Sequence, residues 1–303
     1  MTDIHCSPVR HKHGTIHNTC FKRNELDLLV KTFNHKNPHK PIDSKLRKKD
    51  IAKILLEEYR KVCNKSQYCW ISQLLADSEH KKQLMKAFRP EMPTSWKKNS
   101  KTWLNTYDIL YVLKQYEELY TDYVFLGVYS IDFFKKNSSN NCIGNDFGVN
   151  MCDLKLADLL KKGKTRFGVV FNTDTSDGSG EHWFSMYCNF GDKTSANYGI
   201  YYYDSVASVP DKEYIMPFVK NIQAQALSLE KAQTQTQVLN KTVKKQFEFK
   251  YNKIQKQFKG FACGVYSIVF ITQCLKNIKF AEICKKMLND DQVNAFRNKL
   301  YAS

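Results

Sequence analysis

In the second half of the chain a histidine, an acid, an amide and a thiol follow one another at spacings that permit acyl transfer. His182 is the only histidine after His80, so it is the one imidazole base available there. Cys263 lies in "FKGFACGVYSIVFITQCL" (258–275), between small residues where an apolar helix should begin. A thiol in the first turn of a helix meets unpaired backbone N–H groups and the positive end of the dipole. These lower its pKa from about 8.5 into the range of about 3.5–7.5. Gln257 lies six residues upstream and offers an amide N–H to the oxyanion of a tetrahedral intermediate, beside the backbone N–H of Cys263. Gly260 and Gly264 let a substrate backbone approach the sulfur and ease the turn before the helix. The same local sequence also fits a small buried cysteine at a glycine-rich helix start.

Strand arithmetic supplies a partner for the histidine. "HWFSMYCNF" (182–190) and "YGIYYYD" (198–204) read as strands joined by the turn "GDKTSAN". Residues 182 and 204 are equidistant from residue 193, so a simple hairpin sets His182 opposite Asp204, with Cβ atoms about 4.5–5.5 Å apart. A one-residue slip would turn one of them away, and a surface His–Asp pair would have the same spacing. Cys188 shares the strand at an even offset, but no helix terminus stabilises a thiolate there. It reads as packing, as do Cys274 and Cys284.

These residues need a scaffold. "RFGVVFNTD" (166–174) and "QFEFKYN" (246–252) are further period-two segments rich in aromatic and β-branched residues, and a long polar helix over roughly 211–232 interrupts the series. "GVYSIVFITQCL" is nearly all apolar and must be the buried helix. The pattern predicts an α+β fold, a central mixed sheet flanked by helices. Upstream, 24–34 and 46–61 place Leu26, Leu29, Val30, Phe33 and Ile51, Ile54, Leu55, Tyr59 at helical spacing. The Trp-rich stretch 88–120 contains a helix beginning near Tyr107, capped by Thr106 with Asp108 in its first turn. A domain boundary is expected there: 1–95 a basic helical module, 96–303 the sheet-bearing domain.

Composition narrows the class. The apolar fraction is 42%, and no run of about 18 apolar residues crosses a membrane, so a soluble protein without membrane insertion is expected. The first 20 residues hold no apolar block of about 7–15 residues, so secretion by that route is not expected. Ten cysteines without regular spacing then imply a reducing compartment with free thiols. Residues 1–100 carry 21 Lys and Arg against 10 Asp and Glu, a net +11 of the total +17. That field favours polyanions, with nucleic acid a candidate partner of the front module. Cys6, His11, His13, His17 and Cys20 match no standard zinc-finger spacing, so a disordered, His-rich basic tail is expected rather than a metal site. No cofactor motif is visible, and the chemistry needs none.

Together, the chain order His182-Trp183, Asp204, Gln257, Cys263-Gly264 resembles the SUMO-protease or adenain-like clan of cysteine peptidases. "WLNTYDI" (103–109) is similar to the segment that opens their catalytic domain. "FGVVFNTDTSDGSGEHW" (167–183), "YYDSVAS" (202–208) and "CGVYS" (263–267) resemble the virion-maturation proteases of nucleocytoplasmic large DNA viruses. The resemblance implies catalytic roles for His182, Asp204, Cys263 and Gln257, and substrate contacts for Trp183 and Gly264. It implies cleavage after Gly-Gly in viral core polyproteins, with Trp183 in a narrow tunnel that two glycines thread. It also implies action in host cytoplasm at assembly sites and in the virion. A deconjugase of ubiquitin-like modifiers, an acetyltransferase and a non-enzymatic basic virion protein are the competing readings.

Overall fold

The computed structural model describes residues 5–12, 19–75, 79–99, 101–236 and 245–302. The chain divides into two compact units, Met1–Pro93 with Asn298–Ser303, and Thr94–Arg297. The last six residues therefore cluster with the front unit rather than with the domain that precedes them in sequence. Ala302 explains this locally: its N–H donates to the Pro90 carbonyl (2.8 Å) and its carbonyl accepts from Met92 N–H (2.7 Å).

The front unit is helical. Helices α1 (Arg23–Lys36) and α2 (Lys48–Glu58) bury the apolar faces that their periodicity announced, joined by α3 (Gln67–Leu74), which the sequence pattern did not pick out. Leu26, Leu29, Val30 and Phe33 of α1 pack with Ile51 and Leu55 of α2 and Trp70 of α3. Ser66 caps α3 by accepting from Cys69 N–H. Two expectations fail here. The disordered-tail expectation fails at both ends of the His-rich stretch: Cys6 and Cys20 are buried and bonded to each other, with Cα atoms 5.2 Å apart. A further disulfide joins Cys63 to Cys69, and in the second unit Cys142 joins Cys152. Six of the ten cysteines are thus paired, against the expectation of free thiols. Spacing along the sequence carries no information on which Cα atoms approach within bonding range. His13 and His17 lie outside the described residues.

The second unit holds a five-stranded mixed sheet in sequence order: β1 (Tyr123–Tyr129), β2 (Arg166–Asn172), β3 (Trp183–Asn189), β4 (Gly199–Tyr203) and β5 (Glu248–Tyr251). β1 runs parallel to β2, β2–β3–β4 form an antiparallel meander, and β5 is parallel to β4. β1 was not among the segments the sequence pattern picked out. It is apolar on both faces and interrupted at Gly127, where φ is 141° and the ladder shifts register.

Both faces of the sheet are covered. Phe167, Val169, Phe171, Phe184, Met186, Ile200 and Tyr202 meet Ile215, Phe218, Val219 and Ile222 of α5 (Ile215–Thr236). The opposite face receives the apolar helix α6 (Cys263–Leu275), with Tyr203 stacked on Phe270 at 5.0 Å between ring centroids. Twelve of its thirteen residues are buried, which fixes the helix axially as well as rotationally. Ahead of the sheet, α4 (Thr106–Lys114) is capped by Asn105, not Thr106. Asn105 Oδ1 accepts from Asp108 N–H (2.9 Å) and the Asp108 carboxylate accepts from Asn105 N–H (2.8 Å), a reciprocal capping box.

Candidate active site

The β3–β4 hairpin brings His182 and Asp204 together by a register other than the symmetric one. Ser185 faces Tyr203 and Asn189 faces Gly199, an offset of two residues. His182 and Asp204 are therefore diagonal neighbours just beyond the paired strand ends. Because the side-chain period is two, an offset of two leaves both on the same face. His182 Nε2 lies 2.8 Å from Asp204 Oδ1. Asp204 is 1% exposed, so this is no surface pair. The same carboxylate oxygen accepts from Val206 N–H (2.9 Å), which fixes its direction.

Three influences act on the imidazole. Burial pulls its pKa down; hydrogen bonding and charge from Asp204 and from the Cys263 sulfur outweigh that and hold it at about 9, against an ordinary 6.5. His182 and Cys263 thus interact, with Nδ1 the ring nitrogen left for the sulfur. Cys263 is the first residue of α6, preceded by Ala262 at φ −108°, ψ 3°. The thiol sits at the positive end of a helix of thirteen residues, as the sequence predicted. It is 2% exposed, so a substrate reaches it only along a narrow approach. The other free thiols serve packing: burial pushes Cys188 and Cys274 well above the ordinary range and Cys284 up to about 11.

Gln257 is 4% exposed and held at both ends of its amide. Its Nε2 donates to the Lys259 carbonyl (2.8 Å) and its Oε1 accepts from Ser205 Oγ (2.6 Å). The loop carrying it is tied to α6 by the Tyr266 hydroxyl, 2.9 Å from the Lys256 carbonyl. Buried Asp290 accepts from the N–H groups of Phe258 (2.8 Å) and Lys259 (3.1 Å).

A cleft of about 490 Å³ runs along Trp103, Leu104, Val128, Asn172, Ser176 and Trp183. Trp183 forms part of its wall and donates its indole N–H to the Leu104 carbonyl (2.9 Å). Gly264 departs from the expectation. A Cβ there would lie 3.1 Å from Leu104 Cβ and 3.3 Å from Ile109 Cδ1, so the missing side chain makes room for the start of α4 rather than for a substrate backbone. Three further residues escaped the sequence reading. Trp103, 46% exposed, donates its indole N–H to the Gly260 carbonyl (2.6 Å), three residues before Cys263, where the helix starts. Asn252 and Ser205 hold the acid and the amide from behind. Trp103 and Ser205 stood in segments that carry the resemblance; for Asn252, only knowledge of which strands are adjacent would have singled it out.

A buried thiol, imidazole, acid and amide on a mixed sheet with a helix behind form the constellation of a thiol hydrolase. Residues 168–303 match the Ulp1 protease family, C-terminal catalytic domain. That stretch of the chain is similar to a Ulp1-type catalytic domain, and the match supports a cysteine peptidase. Among curated relatives, a protein of Acanthamoeba polyphaga mimivirus named as a thiol protease is 26% identical over 97% of this chain and 91% of its own length. The SUMO-1 cysteine protease of African swine fever virus is 26% identical over 47% of this chain and 46% of its own. A crystal structure of the African swine fever virus protease superposes with a TM-score of 0.58 at 15% identity, covering 94% of this chain and 91% of that one. At that identity the likeness is one of fold.

Proposed function

We propose that the protein is a cysteine endopeptidase that cuts after Gly-Gly in structural polyproteins of a viral core. The observation that carries the reading is the buried His182–Asp204 pair at 2.8 Å, interacting with a sulfur at the first residue of a buried helix. His182 takes the proton of the Cys263 thiol. The thiolate attacks the scissile carbonyl to give a tetrahedral intermediate, whose oxyanion takes hydrogen bonds from Gln257 Nε2 and the Cys263 N–H. Collapse breaks the C–N bond, with His182 giving its proton to the departing amine. Water then attacks the thioester, His182 removes the water's proton, and the acid leaves as the thiolate re-forms. Asp204 keeps the ring oriented throughout.

A sulfur only 2% exposed favours a substrate tail with no side chains at its end. The viral origin of the similar proteases supports a polyprotein substrate, with action at assembly sites in host cytoplasm and in the virion. The basic front unit is assigned to docking on substrate or core, with nucleic acid as its second partner class. A second reading has one observation in its favour: the African swine fever virus relative is named a SUMO-1 protease, so removal of a ubiquitin-like modifier uses the same chemistry. Purified protein is tested on Gly-Gly-X peptides, on its virus's core polyproteins and on a ubiquitin-like fusion, each with Cys263→Ala as control. Polyprotein cleavage after Gly-Gly supports the first reading, turnover of the fusion alone the second, and undiminished cleavage by Cys263→Ala sinks both.

A further inference from the structure

Asp204 and Ser205 are consecutive, and between them they touch both halves of the site. Asp204 meets the imidazole, while Ser205, 1% exposed, donates its hydroxyl to Gln257 Oε1 at 2.6 Å. The Ser205 carbonyl also accepts from the N–H groups of Lys256 (2.8 Å) and Gln257 (2.9 Å), so backbone and side chain of Gln257 rest on the same residue. The orientation of the amide is determined by its neighbours. The Lys259 carbonyl can only accept, so the end facing it at 2.8 Å is the NH₂ group. The other end is then an acceptor, and the hydroxyl facing it must donate. One Nε2 hydrogen is taken by Lys259, and the second has no hydrogen-bond partner among the described residues. In the opposite orientation two carbonyl oxygens would face each other at the Lys259 end, and the NH₂ group would move to the Ser205 side.

We propose that Ser205 is a positioning residue that holds the Gln257 amide with its NH₂ group on the Lys259 side, the orientation that keeps the second Nε2 hydrogen there for the tetrahedral intermediate. This rests on the oxyanion role given to Gln257 above. Ser205 touches neither the substrate nor the reacting atoms; it acts through Gln257, whose Oε1 is buried and loses its only hydrogen-bond donor when the hydroxyl is removed. Loss of a neutral hydrogen bond of this type corresponds to about tenfold in rate. Removal of the oxyanion donor itself typically corresponds to about 10²–10³. Because the effect is transmitted through one side chain, it disappears when that side chain is absent.

The test is a double-mutant cycle of Ser205→Ala and Gln257→Ala in the full chain, read as kcat and KM on a peptide amide. The acylation burst with p-nitrophenyl acetate is read in parallel, because it needs the thiolate and the oxyanion site but no Gly-Gly recognition. Expected are a drop of about tenfold in kcat for Ser205→Ala with KM unchanged, and a further change below about twofold when it is added to Gln257→Ala. Ser205→Thr, which keeps the hydroxyl, restores most of the loss, and the alkaline limb of the pH profile stays in place because His182 and Asp204 are untouched. Thermal melting checks that each variant is folded. Equal losses in both backgrounds, or no loss in folded Ser205→Ala, overturn the proposal. A peptide left intact by a wild-type protein that still shows the ester burst sinks the Gly-Gly reading alone. A wild-type burst from Gln257→Ala removes the oxyanion role, and this proposal with it.

Discussion

His182 Nε2 and Asp204 Oδ1 are 2.8 Å apart although their residues stand diagonally across the hairpin end. Asp204 and the Cys263 sulfur together hold the imidazole at about 9 despite burial. In Asp204→Asn one of these two influences is lost, so the alkaline limb of kcat/KM, near pH 9 in the wild type, moves to lower pH. A profile from pH 6 to 10 on one peptide measures it, and an unmoved limb would refute the assignment.

The same group links stability to pH. Its folded pKa of about 9 lies above the ordinary 6.5, so its contribution is full below about pH 6.5 and is lost as pH rises through about 9. The urea midpoint of the wild type should therefore fall over that window more steeply than that of His182→Gln. Parallel curves would show that the raised pKa is wrong.

Asn252 is 1% exposed and pairs with both backbone groups of Asp204: Nδ2 donates to its carbonyl (2.6 Å) and Oδ1 accepts from its N–H (2.8 Å). The side chain extends the β4–β5 ladder by one step beyond the pairing of Tyr202 with Tyr251. Asn252→Ala leaves two buried backbone groups without partners, at about 1–3 kcal/mol each. Chemical denaturation should show the loss, with kcat falling alongside it. Unchanged stability would mean that water replaces the amide.

Gly264→Ala places a methyl 3.1 Å from Leu104 Cβ, and Leu104 in turn holds the Trp183 indole through its carbonyl. The expected cost is about 1–3 kcal/mol, with KM raised as the cleft wall shifts. A variant with wild-type melting but impaired kcat would instead restore the idea that a substrate passes at Gly264.

Non-reducing peptide mapping should recover Cys6–Cys20, Cys63–Cys69 and Cys142–Cys152, with iodoacetamide reacting first at Cys263 in the folded protein. The chain-entropy account assigns closed loops of these lengths about 2–3 kcal/mol each, so reduction should lower the melting temperature. Four alkylated positions in unfolded, unreduced protein support the pairing; ten contradict it.

Much of this site can be read in one dimension because each part depends on local rules. A cysteine before an apolar run starts a helix, and aromatic alternation makes β2, β3 and β4. A hairpin error of two residues does no harm, since it preserves which face each side chain takes. What escaped depends on neighbours distant in sequence. Gly264 faces Leu104, 160 positions earlier, and nothing around "CGVY" says so. Asn252 ends the predicted strand "QFEFKYN" and matters only because β5 lies beside β4. The disulfides were misread for the same reason: proximity in space is not proximity in spacing.

Helix α6 is packed on almost every side, and the sulfur is its first residue. The nucleophile therefore cannot be retuned by sliding or tilting its support, and the bound chain must bring its carbonyl to a stationary point. An electrophilic inhibitor faces the same demand: a warhead that needs the sulfur to move will fail, whatever its reactivity. Discrimination between similar enzymes would have to come from the part of the inhibitor that does not react with the sulfur.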